Sequence, residues 1–176
     1  MADLQAHRPE AIEELLAAFG RQIHGVAYLV LRNVDDADEV VMDTLVTAWD
    51  KASSLRDVDA LKPWLMRIAT RHSLSRVRRA RPADPLAAAQ LRTFDPMSGI
   101  SERLTLASAV QALPPRMRAA VALRYYADLE VDAVALALSR SRNTVKTELR
   151  LALARLRQLI SDETPLTARR ERTDAT

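Results

Sequence analysis

The chain has no cysteine among its 176 residues. That excludes a disulfide framework and any thiolate metal site. Only three glycines are present, and the alternating β-branched pattern that marks strands is missing. The three histidines, His7, His24 and His72, are scattered, and none has a second ligand four residues on. No long uncharged apolar run and no leader pattern stands out, which predicts a cytoplasmic chain without membrane insertion. Neither an acid pair, a metal cluster nor a nucleophile motif rises above background, so an enzyme is not expected, and no cofactor is implied.

What is present is alanine, leucine and valine, within an apolar content of 48%. This usage predicts an all-α protein. The length suits one ordinary domain or two small ones. Helical domains of ~60–80 residues have thin cores and gain from leaning on a partner. The net charge of +3 is modest, so its arrangement matters more than its sum. Asp35, Asp36, Asp38, Glu39 and Asp43 form an acidic cluster. From Lys62 to Arg81 there is no acid, while Lys62, Arg67, Arg71, Arg76, Arg78, Arg79 and Arg81 are all basic. A stripe of this kind is the electrostatic footprint of a nucleic-acid binder. The attraction of cations to a helix C-terminus accounts for only about two or three of them. Nearby, Trp64 shares a helical face with Leu65 and Ile68, which assigns it to the core. His72 is a flat ring able to stack on bases.

Periodicity predicts helices over 10–19 and 21–32, broken near Gly20, then a turn at Asn33–Asp36. A third helix over 37–51 buries Ala37, Val41, Leu45, Ala48 and Trp49. Ser53–Leu61 reads as a loop, and Pro63 opens a fourth helix that runs to about Arg79. The stretch RPADPLAAAQLRTFDPMSG, with three prolines and a glycine, reads as a linker. Helices follow over Ser101–Leu113 and 116–126, with Pro115 in the first turn of the second. From Ser161 the polar tail is expected to be disordered. The organisation is thus two small helical domains, 1–81 and 106–163, joined by a linker over 82–105 and followed by a tail over 164–176.

The most telling stretch is 129–157, LEVDAVALALSRSRNTVKTELRLALARLR. Val131, Val134 and Leu138 form one apolar stripe, and Val145, Leu149, Ala152 and Leu156 form another. Ser139, Arg140 and Ser141 separate them, and Ser141 is placed to N-cap the second helix. Opposite the second stripe lie Asn143, Thr147 and Arg150, flanked by Arg142 and Lys146. A helix-turn-helix that reads a major groove presents such a face. An amphipathic hairpin with a solvated charged face has the same composition cues.

Two longer segments now carry a resemblance. DADEVVMDTLVTAW (36–49) followed by KPWLMRIATRHSLSRVRR (62–79) resembles region 2 of bacterial sigma factors of the extracytoplasmic-function type. ALPPRMRAAVALRYYADLEVDAVALALSRSRNTVKTELRLALARLR (112–157) resembles region 4 of the same family. The resemblance implies a promoter-specificity subunit that binds core RNA polymerase and promoter DNA. It is expected to be a monomer when free, and such factors are often held inactive by an anti-sigma factor. The acidic helix would dock on polymerase through Asp38, Glu39, Met42, Asp43 and Val46. The loop bearing Arg56, Asp57 and Val58 would hold a base from the minus-ten element. Lys62, Arg67, Arg71, Arg76, Arg78 and Arg79 would grip the opened strand. For the minus-thirty-five element, Arg140, Arg142 and Lys146 would serve phosphates, while Asn143, Thr147 and Arg150 reach base edges. The chain departs from the family pattern at Met42, Arg71, Ser75, Ser139, Glu148, Leu151 and Leu153. Glu148 sets an anion near phosphates, and Ser139 stands where glycine is common. Two rivals remain from the residues alone: a helix-turn-helix regulator that works without polymerase, and a sigma-like scaffold that has lost its DNA site.

Overall fold

The computed structural model describes residues 2–55, 57–79 and 100–170, and they contain helices and no strand. Met1, Arg56, residues 80–99, which take in most of the linker expected over 82–105, and the last six residues lie outside the described part. The chain begins with a short helix, α1 (Ala2–Gln5), which periodicity had not marked. Leu4 on it is buried, and Gln5 Nε2 donates to the carbonyl of Leu55 at 2.7 Å.

The expected break at Gly20 does not occur. One helix, α2, runs over Glu10–Leu31 and buries Leu15, Gly20, Ile23, Val26, Ala27 and Val30. A mid-helix glycine costs about 1 kcal/mol. Burying that continuous stripe outweighs the cost, since each large aliphatic side chain contributes about 1.5–3 kcal/mol. The expected turn at Asn33–Asp36 is also shorter. Arg32 ends α2 in the left-handed conformation, and Asn33 at once caps the next helix. Asn33 Oδ1 accepts from the Asp36 N–H at 3.0 Å, and Asp35 and Asp36 lie favourably in the first turn. Helix α3 therefore covers Val34–Asp50, and a 3-10 turn follows at Ala52–Ser54.

Helix α4 (Leu61–Arg79) starts two residues before Pro63. Trp64, Leu65, Met66, Ile68, Ala69, Thr70 and Ser73 are buried on it. Those positions go most of the way round the helix, because α4 packs on α2, α3 and also α7. Trp64 is core, 8% exposed. Helix α5 spans Ile100–Gln111 and α6 spans Pro115–Val121, with Pro115 in its first turn. The helix expected to reach 126 instead widens at Ala122–Tyr126 into a π turn, closed by the Ala127 N–H on the Ala122 carbonyl at 2.8 Å. Helices α7 (Val131–Leu138) and α8 (Arg142–Arg170) form the helix-turn-helix. The backbone stays helical past Ser161, where a disordered tail had been expected. Once a helix is nucleated, each further residue adds a hydrogen bond at low cost.

The two halves do not stand apart. Their buried residues form one hydrophobic cluster, from Leu15 and Val26 through Leu65 to Leu123, Val134 and Val145. Arg118 ties the halves with polar bonds. It is 6% exposed, and its Nη2 donates to the Val30 carbonyl at 2.6 Å. Its Nη1 donates to the carbonyls of Gln111 and Leu113 at 3.1 and 3.0 Å. The end carbonyls of α2 and α5 thereby receive the donors that helix C-termini lack. Tyr126 lies so close to Gly25 that a Cβ there has no room, and its hydroxyl donates to the Arg21 carbonyl at 3.3 Å.

Candidate nucleic-acid and partner interfaces

On α3, Asp38, Glu39, Met42 and Val46 of the expected stripe face outward, while Asp43 is half-buried. Met42 and Val46 are 58% and 59% exposed, and Asp38 and Glu39 are exposed beside them. Two large apolar side chains held in water next to acids make a mixed surface suited to a partner. Asp38 Oδ1 lies 3.3 Å from His24 Nε2, and the His24 ring stacks on Tyr28.

Arg76 is engaged within the fold. Its Nη2 donates to Asp43 Oδ2 at 2.7 Å and its Nη1 to Glu39 Oε2 at 2.5 Å, with Asp36 Oδ1 at 3.6 Å. One guanidinium therefore bridges three acids of α3 and offsets part of their charge, and in this arrangement it is not free for a phosphate. Spacing alone did not reveal this, since residues 33 to 40 apart in sequence meet only when α4 packs on α3. The other cations fare differently. Arg67, Arg71, Arg78 and Arg79 are exposed, and Lys62 is half-buried. Arg79 Nη2 donates to the Ser75 hydroxyl at 3.0 Å.

His72 is not a free ring for stacking. It is half-buried, and its Nε2 lies 3.0 Å from Thr47 Oγ1. Burial lowers its pKa, Asp43 opposes that, and Arg76, Arg71 and Arg79 add to it. Desolvation disfavours the charged ring, and so does the ring of guanidinium groups.

In the loop before α4, Asp57 and Val58 are exposed, Val58 at 61%. The Asp57 carboxylate accepts from the Asp59 N–H at 3.0 Å. This Asx turn shapes the loop locally, while Arg56 falls outside the described residues.

The helix-turn-helix forms as its two stripes demand. Val145, Leu149, Ala152 and Leu156 are buried. Ser141 Oγ accepts from the Thr144 N–H at 3.1 Å, the N-cap bond. Ser139 adopts φ 52° and ψ 51°, so it takes the left-handed position in place of glycine. The Arg140 N–H returns to the Ala135 carbonyl at 2.9 Å and closes a Schellman-type corner. Arg140, Arg142, Asn143, Lys146, Thr147 and Arg150 are all exposed at or after this corner. Arg142 Nη1 lies 3.2 Å from Asp132 Oδ2, a pair that ties the recognition helix back to α7. Glu148 is half-buried on the flank.

Sequence reasoning missed Arg118. The one available signal was a pair of cations inside an otherwise apolar run, PPRMRAAVAL. Of the two, Arg118 is the buried one. Burial lowers its pKa to about 10, with Arg32 adding to the effect.

Comparison with known proteins agrees with this geometry. Residues 15–82 match the model of sigma-70 region 2, and residues 103–156 match that of sigma-70 region 4. The ECF RNA polymerase sigma factor SigM of Mycobacterium tuberculosis is 33% identical over 154 residues, covering 85% of this chain and 77% of that protein. Among solved structures, the sigma factor RpoE in complex with the anti-sigma factor NepR from Bartonella quintana has a TM-score of 0.70 at 24% identity. That match covers 85% of this chain and 95% of RpoE. CnrH in complex with the cytosolic domain of CnrY has a TM-score of 0.69 at 25% identity, covering 92% and 94%. The chain belongs to the sigma-70 family, as a sigma factor of the extracytoplasmic-function type. It is a promoter-specificity subunit of RNA polymerase: it binds the core enzyme and recognises promoter DNA. No described helix is long and apolar enough to cross a membrane.

Proposed function

We propose that the promoter and polymerase contacts are divided among three surfaces. The α3 stripe of Asp38, Glu39, Met42, Asp43 and Val46 docks on core polymerase. The loop with Arg56, Asp57 and Val58 holds a base extruded from the minus-ten element. Lys62, Arg67, Arg71, Arg78 and Arg79 follow the opened strand, where base trapping and cationic tracking replace an energy source. The start of α8 reads the minus-thirty-five element: Arg140, Arg142 and Lys146 contact phosphates, and Asn143, Thr147 and Arg150 contact base edges. The protein acts in the cytoplasm without catalysis of its own. An anti-sigma protein holds it inactive, a reading supported by the related sigma factor RpoE solved with the anti-sigma factor NepR.

The observation that carries this reading is the exposure of Met42 and Val46 amid acids on one face of α3. Its test is reconstitution with core polymerase. Asp43→Arg with Val46→Asp abolishes core binding while helical circular dichroism is retained. In the holoenzyme, Thr147→Ala changes the preferred upstream sequence in a randomised library, whereas Lys146→Ala weakens all sequences alike. Unchanged core affinity in the α3 variant overturns the docking face. An unchanged sequence preference in Thr147→Ala removes that residue from the base edges.

A further inference from the structure

A cleft of about 650 Å³ opens where the end of α2 meets α3, α4 and α6, so both halves of the chain wall it. Its charged lining includes Arg32, Arg76, Arg79 and Arg118 against Asp36 and Asp43. Both carboxylates are already engaged by Arg76. Among the described residues, Arg32, Arg79 and Arg118 have no ion pair. Arg118 is the extreme case. It is 6% exposed, its two Nη groups are spent on backbone carbonyls, and its Nε has no hydrogen-bond partner. Nearby Arg32 repels it further.

The lining carries four guanidinium groups against two carboxylates, so the recessed surface keeps a positive excess that an anion would offset. Low-dielectric walls strengthen the positive potential in such a cleft. The planar fork of arginine matches the oxygens of phosphate, and charge-assisted bonds to it are the strong ones. The volume falls within the range of small-ligand sites and is ample for two linked phosphates.

We infer that this cleft binds a small phosphate-bearing anion of the diphosphate class, held by the exposed Arg32 and Arg79, with the buried Arg118 guanidinium adding positive charge from the other half. The inference goes beyond the sigma assignment and does not depend on it. A ligand held in the positive field of both halves stabilises their packed arrangement by mass action, and the effect saturates with ligand concentration.

The test uses the full chain and sodium diphosphate as the probe, by calorimetric titration and thermal unfolding at constant ionic strength. Saturable binding is expected, with a rise in the unfolding midpoint that matched chloride does not reproduce. Arg32→Gln and Arg79→Gln each weaken the affinity at least tenfold. Chloride giving the same midpoint shift, or unaltered diphosphate affinity in Arg32→Gln and Arg79→Gln, overturns the site; the latter places any bound anion elsewhere, such as the cationic start of α8.

Discussion

Arg76 on α4 and Asp43 on α3 form a 2.7 Å charge-assisted hydrogen bond across the interface of the two helices that bear the candidate polymerase and strand contacts. Glu39 shares the same guanidinium at 2.5 Å. The basic helix therefore lends a cation to the acidic face, and the two functions are mechanically joined. Without Arg76, the carboxylates of Asp36, Glu39 and Asp43 repel one another and the stripe beside Met42 loses its arrangement.

Arg76→Ala should accordingly weaken core binding about five- to tenfold, or about 1–1.4 kcal/mol, without changing the salt dependence of promoter binding. Arg78→Ala should do the reverse, lowering the salt slope by about one and sparing core affinity. Fluorescence titration of labelled core, with DNA binding at several salt concentrations, separates the two. A reduced salt slope in Arg76→Ala would show that its ion pairs open on DNA.

Arg118 should be among the most costly positions in the chain. Arg118→Met leaves the carbonyls of Val30, Gln111 and Leu113 without their donor. A hydrogen bond from a charged donor contributes about 1.5–3 kcal/mol, and a buried acceptor left unpaired costs more than its absence. A loss of roughly 3 kcal/mol or more is expected in urea unfolding. A variant within 1 kcal/mol of wild type (about fivefold in the folded ratio) would mean that water serves those carbonyls.

The depressed His72 pKa has a definite sign in stability. Its ordinary value is 6.5, and burial holds the folded value below that, with Arg76, Arg71 and Arg79 assisting and Asp43 opposing. Below 6.5 the unfolded chain takes up a proton that the folded chain resists. Its contribution is thus full above 6.5, declines as pH falls toward the lower folded pKa, and levels off beneath it. His72→Gln should flatten this part of the unfolding profile between pH 5 and 7. An identical slope in the variant would assign the loss to other groups.

Ser139 occupies left-handed space at φ 52°. That conformation costs a residue with a Cβ roughly 1–2 kcal/mol, partly offset by the greater freedom of glycine when unfolded. Ser139→Gly should therefore stabilise the protein by about 0.5–1 kcal/mol, seen as a higher urea midpoint at unchanged slope. Destabilisation would instead reveal a role for the serine hydroxyl.

The sequence by itself determined the class of fold and most of its helices. Apolar spacing marked the buried sides of α3 and α8, and Ser141 marked the start of the recognition helix; each depends on residues within a few positions of one another. Outward exposure of Met42, Val46, Asn143 and Thr147 follows from the same local periodicity. Local pattern failed at Gly20, where tertiary burial overrode a weak propensity, and in the 122–126 segment, where Leu123 and Tyr126 are drawn to opposite demands. Only the tertiary structure decided that Arg76 serves α3, that His72 is held by Thr47, and that Arg118 reaches Val30. Those pairs lie 25 to 88 residues apart. Periodicity says which face of a helix is buried. It does not say which neighbour covers that face, because the choice rests on complementary shape and charge between elements that meet only when the chain is packed.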